Sequence, residues 1–171
     1  TRTVTGNYAS AYGAMRARAE VVAAYPITPQ TLIVEHCSEF VNNGEWDTEF
    51  VAVESEHSAM SVCVSATATG VRTFTATSSQ GMALMHEVLF IPPALHLPMV
   101  MAAVNRTVAA PIGIWCETND TMPQRDTGWL QCYCEDNQEV VDMILQAYRI
   151  SENKKVLLPA MVMMDAFILS H

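Results

Sequence analysis

The chain has 171 residues, half of them apolar and only 16% charged, with a formal net charge of −9. That length and balance suit one folded domain with a core on both faces of a sheet and argue against a disordered segment. Nine Lys and Arg residues in so acidic a chain argue against nucleic acid as a partner, and no apolar run reaches the ~20 residues of a membrane helix.

Alanine, Tyr and Met at helical spacing predict a helix over residues 7–18, and residues 21–25 read as a short buried strand. Thr28 followed by Pro29 is a helix-start signal, with Asn43-Gly44 as the stop. Residues 50–53 form the next expected strand, and Ser55 caps a helix rich in small residues that ends at Gly70. Branched and aromatic residues alternate over the strand 71–77, and Gln80-Gly81 opens a Met- and Leu-rich helix interrupted by Pro92-Pro93. A further strand is expected over 98–104. Residues 106–123 have few periodic positions and several turn formers, the mark of an irregular functional loop. Residues 129–134 suit a short strand, 137–150 an amphipathic helix with Val140, Val141, Ile144, Leu145 and Tyr148 at core spacing, and 156–164 a buried strand. Strands separated by helices predict an α/β domain, a parallel sheet with right-handed crossovers and helices on both faces.

Five cysteines, Cys37, Cys63, Cys116, Cys132 and Cys134, lack C-x-x-C spacing and read as reduced, mostly buried thiols rather than metal ligands. Cys132 and Cys134 are expected on the same side of their strand. The sequons at Asn105 and Asn119 carry no weight without a secretory signal, and a cytoplasmic location is expected. The chain starts at Thr1 without Met and ends at Ser170-His171 directly after an apolar run. It is read as a single domain over residues 1–171 and a fragment of a longer subunit.

Three segments each close a strand and open a helix: Tyr25-Pro26-Ile27-Thr28-Pro29, Val53-Glu54-Ser55-Glu56-His57 and Thr77-Ser78-Ser79-Gln80-Gly81. In a parallel sheet they converge at one edge, where ligands of open α/β folds bind. Glu56 then lies in the first turn of a helix of small residues, partly desolvated, where a carboxyl can share a proton with a ligand nitrogen. It is equally readable as a helix-start charge, Glu54 competes for the role, and His57 suits a packed or hydrogen-bonded residue. Arg106 follows a buried strand at the same edge, suited to grip a carboxylate through two parallel hydrogen bonds or to form an ordinary salt bridge. Thr28 can donate to the same anion or cap its helix. No phosphate-binding glycine motif is present.

Taken together, Gly6-Asn7, Ala24 to Thr31, Val53 to Ala59, Thr73 to Gly81, Val104-Asn105-Arg106 and Asp165 to His171 resemble the N-terminal part of the α subunit of the pyruvate:ferredoxin oxidoreductases, within the thiamine-diphosphate-dependent 2-oxoacid:ferredoxin oxidoreductases. The resemblance implies a pyrimidine-type thiamine diphosphate-binding domain, with the diphosphate and Mg2+ held by another domain, the β subunit in multi-subunit members. It implies that Glu56 hydrogen-bonds the pyrimidine nitrogen and favours the imino tautomer, and that Thr28 and Arg106 hold the substrate carboxylate, the three residues together facing the cofactor. The implied reaction is oxidative decarboxylation of pyruvate with coenzyme A to acetyl-CoA and CO2. Electrons pass through [4Fe-4S] clusters of further subunits to ferredoxin. No metal or cluster ligand of the family maps onto this stretch. Thr28 and the Gln80-Gly81 pair resemble the pyruvate type, while Pro92-Pro93 and the cysteines near residue 132 depart from it. Another 2-oxo acid, or a non-catalytic carboxylate-binding module on the same scaffold, stays open.

Overall fold

The computed structural model describes residues 3–115 and 117–170. Cys116 and His171, which the sequence reading includes, lie outside the described residues. Six strands, β1 (Val21–Ala24), β2 (Glu49–Ala52), β3 (Thr73–Thr77), β4 (Val100–Asn105), β5 (Leu130–Tyr133) and β6 (Ala160–Asp165), form one sheet in the order β2-β1-β3-β4-β6-β5. Every pairing is parallel, so all strand C-termini reach the same edge.

The period of two along β4 divides the core. Val100, Ala102 and Val104 pack with α1 (Gly6–Arg16), α2 (Thr31–Asn42) and α6 (Asn137–Ser151) on one face. Met99, Met101 and Ala103 pack with α3 (Glu56–Ala68) and α4 (Ser79–Leu89) on the other. A strand covered on both faces needs apolar side chains at every position, and β4 is buried along its whole length. Most of the methionines are core filler as expected: Met60, Met82, Met85, Met99, Met101, Met161 and Met163 are all fully buried in the second cluster, whereas Met122 is exposed.

Local expectations and outcome differ at three places. The helix expected from Thr28-Pro29 starts at Thr31. A buried glutamine makes the preceding turn instead: Gln30 accepts from the Ile27 N–H at 3.2 Å and donates its amide to the Ala76 carbonyl at 2.8 Å, which fastens the loop to β3. Pro92 and Pro93 sit in the first turn of a separate short helix, α5 (Ile91–Ala94), where a missing N–H is harmless. The last strand begins at Ala160 rather than near 156, because Val156 and Leu157 donate back to the Asn153 carbonyl in a turn.

The sheet edge opposite the loops is closed by Arg72, whose Nε and Nη2 donate to the two carboxylate oxygens of Glu152 at 2.5 and 2.7 Å. The same guanidinium lies over the Tyr148 ring, and the Tyr148 hydroxyl donates to the Thr73 carbonyl at 2.7 Å.

Of the described cysteines, Cys37, Cys63 and Cys134 are buried, Cys132 is half-buried, and all four are free thiols. Strand β5 ends at Tyr133, and Cys134 packs into the first cluster just beyond it. Burial pushes the Cys63 thiol from an ordinary value of 9.0 up to about 12 and raises Cys37 as well. Unfolded thiols ionise near pH ~8.5. The stabilisation from keeping these groups neutral is therefore complete below that pH and is lost as pH rises through the folded value. The urea midpoint should fall between pH 8 and pH 10.5, and Cys63→Ala should flatten that fall; an equal fall in the variant would assign it to other groups.

Candidate active site

Four loops meet where β1, β2, β3 and β4 end, around the point at which the chain steps from β1 outward to β2 and then back to β3. Glu56 stands at the start of α3. Ser55 caps that helix, its hydroxyl accepting from the Ser58 N–H at 3.2 Å. Ser55→Ala should lower thermal stability by ~1 kcal/mol; an unchanged unfolding midpoint would mean that the bond is not formed in solution.

The Glu56 side chain turns inward and is only 8% exposed. Among the described residues it makes no hydrogen bond, although buried carboxyls ordinarily find partners. It rests against Gly81 in the first turn of α4: a Cβ placed there would lie 2.7 Å from the Glu56 Cγ, 2.8 Å from its Oε1 and 2.3 Å from the Thr77 Oγ1. Thr77 is fully buried at the end of β3, and its hydroxyl also has no partner. The Glu56 carboxyl and the unpartnered Thr77 hydroxyl thus converge where only a glycine fits.

Neighbouring titratable groups separate from Glu56. Glu54 is exposed and accepts from the Ser58 hydroxyl at 2.5 Å, which holds its carboxyl below the usual range. It is a solvated anion and a poor candidate for proton sharing. His57 points away to Glu87, 2.8 Å from its Oε1, with His57 half-buried and Glu87 largely in water.

Arg106 directly follows β4 and reaches across the edge. Its Nη1 donates to the Thr28 carbonyl at 2.5 Å and its Nη2 donates to the Gln80 amide oxygen. Nε is buried and carries no partner, so part of the five-donor fork is uncommitted. Thr28 is exposed at the same spot. Its turn is held from behind by Asn7, a fully buried residue of α1 that donates to the Pro29 carbonyl at 3.0 Å. The predicted pair Thr28 and Arg106 is therefore brought into contact, with the Glu56 pocket reached through Gln80 and Gly81 of the same helix.

Three contributors escaped the sequence reading. Gln80 was visible only as part of a motif, yet it links Arg106 to the Val108 carbonyl. Gln30 was likewise visible only inside the Ala24 to Thr31 stretch, with no role attached. Asp120 lay inside a sequon that was set aside, and it is 2% exposed. Its Oδ2 accepts from the Ser79 and Arg106 backbone N–H groups, each at 3.0 Å, and its Oδ1 from the Asn105 amide at 2.9 Å. Among the described residues, the expected irregular loop runs between Arg106 and Thr121 and ends in a 3-10 helix at Met122–Thr127.

The side chains gathered at Gly81 suit the aminopyrimidine of thiamine diphosphate on their own chemistry. The Glu56 carboxyl, without a hydrogen bond among the described residues, beside the unpartnered Thr77 hydroxyl offers a ring nitrogen and an exocyclic amine their complements. Among the described residues no three His, Cys, Asp or Glu side chains converge as a metal site, and no helix is long and apolar enough to cross a membrane.

Comparison with known proteins bears on the same edge. A family model described as pyruvate flavodoxin/ferredoxin oxidoreductase, thiamine diphosphate-binding, matches residues 12–171. The chain is 60% identical over 170 residues to pyruvate synthase subunit PorA of Pyrococcus furiosus and 58% identical to that of Methanocaldococcus jannaschii. These alignments cover 99% of this chain and 43% and 44% of those relatives. Ketoisovalerate oxidoreductase subunit VorA of Pyrococcus furiosus is 57% identical, again over 99% of this chain and 43% of the relative. The chain thus spans less than half the length of these curated relatives. Among solved structures, the 2-oxoglutarate:ferredoxin oxidoreductase of Magnetococcus marinus superposes with a TM-score of 0.85 at 23% identity, over 98% of this chain and 29% of that one. At that identity the match speaks for the fold.

Proposed function

Because the chain belongs to the pyruvate flavodoxin/ferredoxin oxidoreductase family, in its thiamine diphosphate-binding part, we propose that it is the pyrimidine-binding half of a 2-oxoacid:ferredoxin oxidoreductase acting on pyruvate. The observation that carries this reading is the inward-turned Glu56 side chain packed against Gly81 beside the unpartnered Thr77 hydroxyl, next in the chain to Gln80, which Arg106 contacts while it holds Thr28. When bound, thiamine diphosphate supplies a stabilised carbanion centre able to decarboxylate a 2-oxo acid. Glu56 shares its proton with the pyrimidine ring nitrogen and so favours the imino tautomer. Arg106 and the Thr28 hydroxyl hold the substrate carboxylate, Arg106 through N–H donors that its protein contacts leave uncommitted.

A β subunit with the diphosphate and Mg2+ site, further subunits with [4Fe-4S] clusters, coenzyme A as acyl acceptor and ferredoxin as electron acceptor complete the proposed enzyme, in the cytoplasm. The subunit names of the relatives support partner subunits in general.

The test is anaerobic viologen reduction by the full complex with coenzyme A, comparing pyruvate, 2-oxoisovalerate and 2-oxoglutarate. Preference for pyruvate by kcat/KM is expected. Preference for the branched acid would move the protein to the ketoisovalerate branch of the same family, and no turnover of any 2-oxo acid would favour a carboxylate-binding module. Arg106→Lys, which loses the planar fork but keeps the charge, should raise KM for the 2-oxo acid about 30-fold. An unchanged KM would remove Arg106 from the substrate site.

A further inference from the structure

We infer that Asp120 is the positioning residue of the carboxylate clamp, setting where Arg106 and Gln80 stand without itself touching substrate. The inference rests on the function proposed above, and its observations are independent of the sequence motifs. One buried carboxylate oxygen accepts two backbone N–H groups from different elements: that of Ser79, at the start of α4, and that of Arg106, at the end of β4. The residues carrying or following those two amides then meet through their side chains, Arg106 Nη2 donating to the Gln80 amide oxygen. Asp120 thus closes a ring in which the spacing of two backbones fixes the spacing of the two side chains.

The geometry it enforces is not one the chain would adopt unaided. Ser79 has φ +48, in the left-handed region that non-glycine residues avoid. Such a residue persists only where its surroundings over-determine it. Two contacts do so here: the Asp120 carboxylate on its N–H, and its hydroxyl donated to the Thr107 carbonyl at 2.5 Å. Asp120 is itself fixed. Its second oxygen accepts from Asn105, whose amide also donates to the Thr121 hydroxyl at 2.7 Å, and that hydroxyl lies 2.9 Å from the Tyr133 hydroxyl. Because β4 and β5 both flank β6, the network ties the irregular loop to two strands of the sheet. A neutral amide in place of the carboxylate keeps the shape but cannot face all three donors with acceptors.

Asp120→Asn in the full complex should raise KM for the 2-oxo acid about tenfold while kcat falls less than about threefold, since misplacing a binding group by a fraction of an ångström weakens capture. In an Arg106→Lys background the same change should add less than about twofold, because two residues acting through one contact are not additive. A purely structural role would instead lower the unfolding temperature and the active fraction with KM unchanged, and that result overturns the inference, as does full additivity with Arg106→Lys. Should Asp120→Asn fail to assemble, Asp120→Glu keeps the charge, displaces it by one methylene and is read the same way. Calorimetric binding of oxamate, an unreactive pyruvate isostere, to the wild-type and Asp120→Asn complexes reads the clamp without turnover. Weaker oxamate binding by the variant supports the inference even if no 2-oxo acid is turned over, a result that would count against the proposed reaction alone. Equal binding overturns the inference even if the reaction is confirmed.

Discussion

Glu56→Gln should lower pyruvate- and coenzyme-A-dependent viologen reduction by ~10²-fold or more, with the complex assembled and its unfolding temperature nearly unchanged. The amide keeps the shape of the carboxyl and removes the shared proton. Because the side chain is 8% exposed and makes no hydrogen bond among the described residues, its replacement breaks no network, and the loss reports on chemistry rather than on folding. Glu54 cannot substitute, since it is exposed and engaged with Ser58. A companion Glu54→Gln variant should therefore retain turnover within about threefold. Near-normal activity of Glu56→Gln, or equal losses in the two variants, would move the proton-sharing role away from Glu56.

Gly81→Ala should be as damaging to turnover, for a steric reason. Two effects oppose one another. Alanine in a helix is favoured over glycine by about 1 kcal/mol, which alone would raise the melting temperature. The added methyl would meet the Thr77 Oγ1 at 2.3 Å and the Glu56 side chain at 2.7 and 2.8 Å. Thr77 is fixed within β3, so Glu56 must swing away or α4 must shift, and overpacking of this kind costs about 1–3 kcal/mol. The steric term wins, so the melting temperature should fall, and turnover should drop ~10²-fold because Glu56 has left its place. A rise in melting temperature with activity kept would show that the pocket relaxes more easily than its packing implies.

Much of the fold was legible from local pattern. The continuous apolar run of β4, the small residues of α3 and the amphipathic spacing of α6 are each written in the chain, and their boundaries move by only a few residues; of the α6 positions expected in the core, Leu145 is exposed. Where the reading slipped, long-range bonds were responsible. The turn before α2 is set by Gln30 reaching the Ala76 carbonyl, 46 positions away, and nothing near Thr28 announces it. The start of β6 is set by which residues find a partner on β4, with Val100 opposite Ala160, rather than by where the apolar run begins.

The candidate site divides in the same way. Glu56, Thr28 and Arg106 were all found as residues at the ends of strands, because a parallel sheet sends every strand terminus to one edge and chemistry-bearing residues there stand out against an apolar background. Their relative weight was not readable: Glu54 and Glu56 differ by two positions at one helix start, and only the packed structure shows that Glu54 is exposed while Glu56 turns inward. Asp120 and Gln80 were hidden for a related reason. Their roles depend on partners 14 to 41 residues away, brought together when β3, β4 and the following loop pack. Local sequence determined the elements and the edge at which function gathers, since helix and strand periods act over a few residues. Tertiary structure decided which carboxyl is buried, which donors are left unpaired and what holds Arg106 in place, since desolvation and hydrogen-bond geometry exist only once distant segments meet.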